Sequence, residues 1–336
     1  MRWLLSILLF LSYAAFSQSI GGETVFSFIN LSNTPQLTAL GGINISNRSN
    51  DVGMAFHNPS LLVPDMHAQL NLVYNSFFAG IRNYSVQAAY YKKNWQTTFS
   101  GGINYFNYGQ VMETDASGNV LGNFRPTDFV LQIGGARAYT TNIYYGATVK
   151  FIHSDYGRYT SSGFALDASV LYADSNRLLQ GSLLLKNMGF QSKAFEGSTP
   201  GDLPFDIQLG VSKKLENAPF QFSLTAHHLH HFDIRYNDTL FDQESGTNSD
   251  KSFFFDKLFR HFVLACQISL ADHVEISLGY NHLRRKELNI GNGGNGLNGF
   301  SLGTGVLFRK LQLRYAKAWF RNQRGYHQIG LSADLK

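Results

Sequence analysis

The chain has 336 residues and a formal net charge of +5, and only 15% of its residues are charged, against about 25% in ordinary soluble domains. It is rich in aromatics (28 Phe, 17 Tyr) and glycine (32) but holds only 7 Pro, and its mean hydropathy is −0.15. A hydrophobic content of 44% excludes intrinsic disorder, and the lack of long apolar runs beyond the N-terminus excludes a bundle of transmembrane helices.

The first 17 residues have the layout of a secretory signal peptide. Arg2 supplies the positive charge, residues 4–11 form the apolar core, and Ala15 and Ser17 are small residues where a signal peptidase reads. We therefore expect residues 1–17 to be removed by cleavage before Gln18. A membrane anchor is the alternative, but the apolar stretch is short for a spanning helix.

Residues 18–66 lack the alternation of strands and contain several turn signals. The glycine pair allows a tight backbone path, and an Asn-Pro step marks a turn before the first strand. One interpretation is a folded lead-in to a barrel. We favour the other, a plug inside the lumen, because barrels of this size are often blocked. The predicted plug motif consists of Gly41, Gly42, Asp51, Asn58 and Pro59.

From residue 67 to residue 336, apolar residues alternate with small or polar ones. Val274, Ile276 and Leu278, for example, alternate with Glu275 and Ser277. Such a pattern places one apolar and one polar row on opposite faces of a sheet. A soluble sandwich also alternates, but these runs have the roughly 9–11 residues that a tilted strand needs to cross a bilayer. The pattern predicts an all-β fold, a transmembrane antiparallel β-barrel of about 14 strands with an N-terminal plug. The predicted strands lie near 67–76, 82–92, 95–108, 127–138, 143–154, 162–173, 178–188, 205–213, 220–228, 261–270, 273–282, 299–308, 311–319 and 325–334.

Short and long connections alternate along these strands, as in outer-membrane barrels with short periplasmic turns and long outer loops. The predicted outer loops include 109–126, 189–204, 229–260 and 283–298. The longest carries aromatics suited to anchoring a protein partner. These candidates are Phe232, Tyr236, Phe241, Phe253, Phe254 and Phe255.

Five basic residues fall in two of the predicted outer connections. Guanidinium groups suit bidentate contact with phosphate, so lipopolysaccharide or another anion is one interpretation of this group, and ordinary solvated charge is the other. The residues are Arg284, Arg285, Lys286, Arg321 and Arg324. No dense basic tract indicates a nucleic-acid partner.

Two further clusters invite a metal interpretation. His227, His228, His230 and His231 could hold a transition metal, but clustered histidines at a strand end more often lie at a membrane interface or in a loop. The acidic stretch 242–256 lacks the regular ligand spacing of a calcium loop and is predicted to be a solvated loop. We therefore predict no metal site and no cofactor.

No spacing of residues indicates catalysis. Asp167 and Glu275 fall on predicted lumen faces, where carboxylates pair with basic side chains or tune a wet interior. Cys266, the only cysteine, lies in an alternating run and is predicted to be a small hydrophobe. We expect a protein that is not an enzyme.

The N-terminal segment resembles the start of the PorV/FadL-like superfamily of outer-membrane barrels, and most closely the PorQ family of the type IX secretion system. The resemblance rests on residues 21–24, Phe26 to Leu31, Leu40-Gly41-Gly42, Asp51 and Phe56-His57-Asn58-Pro59. It implies an outer-membrane protein within a cell-surface attachment complex. The partners implied are a PorZ-like surface protein, a PorU-like sortase and a PorV-like barrel, and the complex links secreted cargo to lipopolysaccharide.

Two other functions stay open at this point. A FadL-like transporter of hydrophobic small molecules would have an apolar channel behind the plug and a lateral opening. The Gln-, Ser- and Gly-rich lumen rows disfavour such a channel. A structural barrel without a dedicated ligand is the third possibility.

Overall fold

The structure is a computed structural model, and it describes residues 24–115, 117–174, 176, 178–234, 254–271, 273–288, 296–321 and 324–336. The predicted signal peptide and the first residues of the plug segment lie outside that part of the chain. No helix among the described residues is long and apolar enough to cross a membrane.

Fourteen antiparallel strands close into a barrel, which confirms the predicted fold class and strand number. Each barrel strand pairs with the next barrel strand along the chain, a separate hairpin lies between the third and the fourth, and the last strand closes the ring on the first. The barrel strands are β1 (Gln69–Ser76), β2 (Arg82–Lys92), β3 (Thr97–Asn107), β6 (Thr127–Ala138), β7 (Ile143–Tyr156), β8 (Tyr159–Asp174), β9 (Leu179–Lys193), β10 (Asp206–Lys214), β11 (Phe220–Ala226), β12 (Phe262–Leu270), β13 (Val274–Asn281), β14 (Phe300–Leu307), β15 (Leu311–Arg321) and β16 (Arg324–Asp334).

The alternation in the sequence becomes the two faces of the wall. In β10, Gln208, Gly210 and Ser212 are buried inside, whereas Leu209 and Val211 lie on the outer face with 49% and 45% of their surface exposed. Antiparallel pairing satisfies the backbone donors and acceptors around the ring, so the outer wall presents mainly apolar side chains. A closed antiparallel barrel with this outer wall is the architecture of outer-membrane barrels.

Three differences from the predicted elements concern strands. The connection 109–126 is not a plain loop, because Val111–Thr114 (β4) and Val120–Phe124 (β5) pair as a hairpin. Strands β7, β8 and β9 have 14, 16 and 15 residues, longer than predicted, because their pairing continues past the predicted turns. The predicted strand 220–228 ends at Ala226 because His228 adopts a left-handed conformation (φ 54°).

The two ends of the barrel differ. The turn end carries the short connections β2–β3, β6–β7, β8–β9, β10–β11, β12–β13 and β14–β15, and the loop end carries the longer ones. Two short helices lie in loop-end connections, α2 (Phe254–Phe259) before β12 and α3 (His282–Glu287) after β13. A third, α1 (Pro35–Ala39), belongs to the N-terminal segment together with the 3-10 turns Ser27–Asn30, Val52–Phe56, Pro59–Leu61 and Pro64–Met66.

Candidate functional site

Residues 24–66, here called the plug segment, lie inside the ring of strands. Helix α1 packs against β13 to β16, and the turn Pro59–Leu61 packs against β6 to β8 on the other side. Buried side chains of the segment bond to inward-facing side chains around the wall. These bonds join Thr38 to Gln328 (2.5 Å), Asn44 to Ser223 (2.7 Å), Ser46 to Ser212 (2.7 Å), Asn47 to Gln267 (2.7 Å) and Asn58 to Ser182 (3.0 Å).

The glycines of the plug motif allow backbone to meet backbone. Gly41 has φ +91°, and a Cβ on the facing wall residue Gly279 would lie 2.1 Å from the Gly41 nitrogen. On the opposite wall, a Cβ on Gly146 would lie 2.7 Å from the carbonyl carbon of Pro59. Side chains at these wall positions would push the plug segment away, so the two wall glycines are as necessary to the fit as the motif itself.

The polar residues of the motif are fully buried and hydrogen-bonded. The Asp51 carboxylate accepts from the Gly53 N–H (2.9 Å), the Thr34 hydroxyl (2.5 Å) and the Asn71 amide (3.2 Å). The Asn58 amide donates to the Ile45 carbonyl at 2.6 Å, and its oxygen caps the turn that Pro59 begins. These bonds fix the local path of the segment.

Ionic pairs lie on the lumen face, as expected for Asp167 and Glu275. Lys150 Nζ is 2.5 Å from Asp167 Oδ2 with both side chains fully buried, and Arg314 Nη2 is 3.2 Å from Glu275 Oε2. Lys186 Nζ lies 3.0 Å from His57 Nδ1 of the plug segment. The interior is thus a packed polar network in which buried charges have partners, and it differs from an open wet lumen.

The lumen near the loop end is apolar, and the plug segment fills it. Phe26, Phe28 and Ile29 pack with inward side chains of β3, β6, β7 and β8, among them Phe106 and Ile152. One interior cavity beside α1 measures about 10 Å³, the size of a single water, whereas depressions of about 700 and 490 Å³ lie on the outer wall. Space for a ligand is therefore small beside α1.

Three of the six candidate partner-binding aromatics are described, and they form one group. Phe232, Phe254 and Phe255, the aromatic cluster, are exposed by 53%, 60% and 55%, and the rings of the first two lie 5.6 Å apart. Phe254 and Phe255 meet edge to face at 5.9 Å. Tyr236, Phe241 and Phe253 lie outside the described residues.

Ion pairs hold the aromatic cluster on the barrel rim. Asp256 of α2 contacts Arg260 (3.1 Å), Lys286 of α3 (2.9 Å) and His282 (3.4 Å). Burial raises the pKa of the Asp256 carboxyl, but hydrogen bonds from Lys286 and Arg260 outweigh it and lower that pKa to about 2. Asp256, the last residue of the acidic stretch 242–256, thus joins α2 to α3, whereas the other acidic residues of that stretch lie outside the described residues.

The predicted basic group does not assemble as one outward patch among the described side chains. The Arg284 guanidinium donates to the Gly41 carbonyl and to Ser301 Oγ (3.2 Å), so it clamps the plug segment. Lys286 pairs with Asp256, and Arg285 is half-buried beside Gly299. Arg321 and Arg324 face each other in the backbone pairing of β15 and β16, and their side chains lie outside the described part.

The histidines after β11 gather with a carboxylate that the sequence pattern had not linked to them. His227 and His228 lie with Nδ1 atoms 2.5 Å apart, and ligand atoms of Asp206, His227 and His228 all fall within 4.8 Å of one another. Burial lowers the pKa of His227 and of His228, and it lowers the pKa of His230 to about 4, so these rings are neutral at pH 7. Asp206 opens the next strand back, 21 residues before His227, and only strand pairing brings it close.

The chain matches no protein-family model and no curated protein. Its fold is similar to the Pseudomonas putida toluene transporter TodX, with a TM-score of 0.52 and 11% identity over 94% of this chain and 98% of that one. It is similar to the CymD monoaromatic hydrocarbon channel, with a TM-score of 0.51 and 11% identity over 92% and 97% of the two chains. At such identities, the likeness shows a shared barrel fold.

Proposed function

We propose that this chain is a non-enzymatic outer-membrane β-barrel whose loop end anchors a surface protein. The observation that carries the proposal is the aromatic cluster, three exposed phenylalanines, two of them on the helix that Asp256 and its cationic partners fix to the rim. Large exposed aromatics on a held surface are typical anchors of protein interfaces. The plug segment supports this role, because its bonds to the wall favour a closed platform over an open pore.

The finer part of the proposal follows the sequence resemblance. We propose that the partner is a PorZ-like surface protein, in an attachment complex that includes a PorU-like sortase and a PorV-like barrel and links type IX secretion cargo to lipopolysaccharide. The motif residues Gly41, Gly42, Asn58 and Pro59 support this assignment, and their close packing on the wall gives them a structural purpose.

Point variants of the aromatic cluster test the docking role. Phe254→Ser with Phe255→Ser keeps Asp256 and removes two exposed rings, so we expect the barrel to fold while a detergent pull-down loses the surface protein and the sortase. The matched control is Met112→Ser with Leu121→Ser on the β4–β5 hairpin, where both side chains are also exposed. Retention of both partners by the double phenylalanine variant would overturn the assignment of this surface.

A second function is supported by one specific observation, the barrel fold shared with TodX and CymD. It is the passage of hydrophobic small molecules across the outer membrane. Cells that lack the protein should then lose uptake of a labelled fatty acid or monoaromatic hydrocarbon while surface attachment of cargo stays intact. The docking role predicts the reverse, because the apolar space near the loop end is filled by Phe26, Phe28 and Ile29.

A further inference from the structure

The end of β11 and the start of β10 bring two imidazoles and a carboxylate together at the loop end. We propose that Asp206, His227 and His228 form a site for a divalent first-row transition metal of the zinc class. Imidazole nitrogen with one carboxylate oxygen is a ligand set that Zn²⁺ takes readily, with water or a further side chain completing four-coordination. The proposal is independent of the docking role.

The backbone is bent to assemble this group. Neighbouring residues of a strand point to opposite faces, but the chain leaves the strand after Ala226, and His228 adopts a left-handed conformation with φ 54°. The Asp206 Oδ1 atom accepts the His228 N–H at 2.6 Å and holds that conformation. A non-glycine residue in this region costs energy and is a frequent feature of functional sites.

The hydrogen bonds of His227 are incomplete without a further group. The side chain is fully buried, its Nδ1 faces His228 Nδ1, and its Nε2 has no hydrogen-bond partner among the described residues. Either neutral tautomer of His227 leaves a buried atom unpaired at Nε2, which costs free energy. The tautomer with its proton on Nδ1 presents a lone pair at Nε2 that a metal ion would use. In that tautomer His228 Nδ1 accepts the His227 Nδ1–H, so His228 contributes its own lone pair only when its ring turns from His227 toward the metal.

A third imidazole, His230, lies next to this group. His230 Nδ1 is also buried and has no hydrogen-bond partner in the described part of the chain, and the His230 ring lies 6.0 Å from the His228 ring. Two imidazoles close together after β11 therefore each hold a buried nitrogen that no described residue pairs with. Such a convergence is more specific than the His-rich sequence alone, which fits a solvated loop equally well.

One nearby charge opposes a cation. Lys186 is buried beside the cluster, pairs in register with Asp206 and contacts His57 through its Nζ. Its positive charge weakens metal binding, so we expect an affinity below that of a four-ligand structural zinc site. Replacing Lys186 by Met should tighten binding.

Metal titration of the full-length barrel tests the proposal directly. The protein is purified in detergent without a histidine tag, stripped with a chelator and titrated with Zn²⁺ by calorimetry and with Co²⁺ by visible absorption. We expect one equivalent of Zn²⁺ to bind, together with a Co²⁺ ligand-field band of low-symmetry N/O coordination. No heat and no band in the folded wild-type barrel would refute the site.

Two conservative variants locate the metal. Asp206→Asn keeps an oxygen acceptor for the His228 N–H, and His228→Asn places a residue that tolerates the left-handed conformation. Each should bind Zn²⁺ at least about 100-fold more weakly, while His273→Gln, at the exposed turn end, should bind as the wild type does. Because these variants are checked for folding by heat-modifiability gels, unchanged affinity in both would place the metal elsewhere and overturn the assignment.

Discussion

The plug–wall contact and the loop-end rim use similar residue types under opposite physical conditions. Inside, Asp51 and its donors are fully buried, and backbone meets backbone at Gly41 and Gly279. At the rim, Asp256 is only partly covered, and the phenylalanines that it holds are more than half exposed. Water cannot replace a lost bond in the first region but can in the second, so interior substitutions should cost far more stability than rim substitutions.

The largest effect is expected where the plug segment touches the wall. Gly279→Val would place a Cβ against the Gly41 nitrogen and Leu40 carbon, both backbone atoms, so no side chain can move aside to relieve it. We expect a loss of about 3 kcal/mol, measured by urea unfolding in lipid vesicles. Gly122→Ala on β5, where a Cβ meets no atom within 4 Å, is the control. Equal stability of Gly279→Val and wild type would show that the plug segment is not seated against β13.

Removing the buried carboxylate should come next. Asp51→Ala leaves the Gly53 N–H, the Thr34 hydroxyl and the Asn71 amide without their acceptor. Buried donors that lose their partner cost about 2–3 kcal/mol in total. Asp51→Asn keeps one acceptor oxygen and should recover part of that loss in the same unfolding assay. An Asp51→Ala barrel as stable as the wild type would contradict the buried network.

Gly41 and Asp51 also show how much of the structure can be predicted from the sequence alone. Alternation predicts the strands, because the two faces of a membrane barrel meet different solvents. It identifies Gly41 and Asp51 as unusual but gives no means to pair Gly41 with Gly279, since 238 positions separate them and any small lumen residue fits the pattern.

At the loop end, the sequence predicts the side-chain contacts even less well. The sequence groups Arg284 with Lys286 as surface charge, yet the side chains divide, one toward the Gly41 carbonyl and the other toward Asp256. Helix α3 decides this division, because residues two apart on a helix point in different directions. A lysine in a lumen row otherwise free of charge, such as Lys150 or Lys186, is a signal that could have marked the buried ionic network in advance.

His230, which follows β11 at the loop end, should make the free energy of unfolding depend on pH, and we expect this effect to be of intermediate size. Burial lowers the pKa of His230 to about 4, below the usual value near 6.5. Between these values the unfolded chain takes up a proton that the folded chain does not, so stability is lost as the pH falls from about 6.5 toward 4. His230→Gln should reduce this dependence in thermal unfolding between pH 7.5 and 5, whereas His273→Gln should keep it. A dependence unchanged in His230→Gln would assign the proton uptake to other groups.

Replacing Asp256 should have the smallest effect on the free energy of unfolding, but it should have the largest effect on how firmly the aromatic cluster is held. Asp256→Ala removes the link between α2 and α3 and should change unfolding by less than about 1 kcal/mol, because partly exposed ion pairs contribute little. It should still free the aromatic cluster, so limited proteolysis after Phe254 or Phe255 should accelerate and partner recovery should fall. Arg158→Ala is the matched control, because it breaks a largely exposed ion pair with Glu113 of the β4–β5 hairpin (3.1 Å) and leaves the aromatic cluster untouched.

The link between Asp256 and its cationic partners is lost on acidification, as is the stability that depends on neutral His230, but in a lower pH range. The Asp256 pKa is lowered to about 2 from a usual value near 3.8, so its contribution is present above pH 3.8 and is lost only as the pH falls through about 2. At pH 5 the rate of proteolysis after Phe254 or Phe255 should therefore match the rate at pH 7.5, even though the lowered pKa of His230 reduces the stability of the barrel at pH 5. Faster cleavage at pH 5 in His230→Gln as well as in wild type would show that the rim depends on a different titrating group, and that the two regions are not separate.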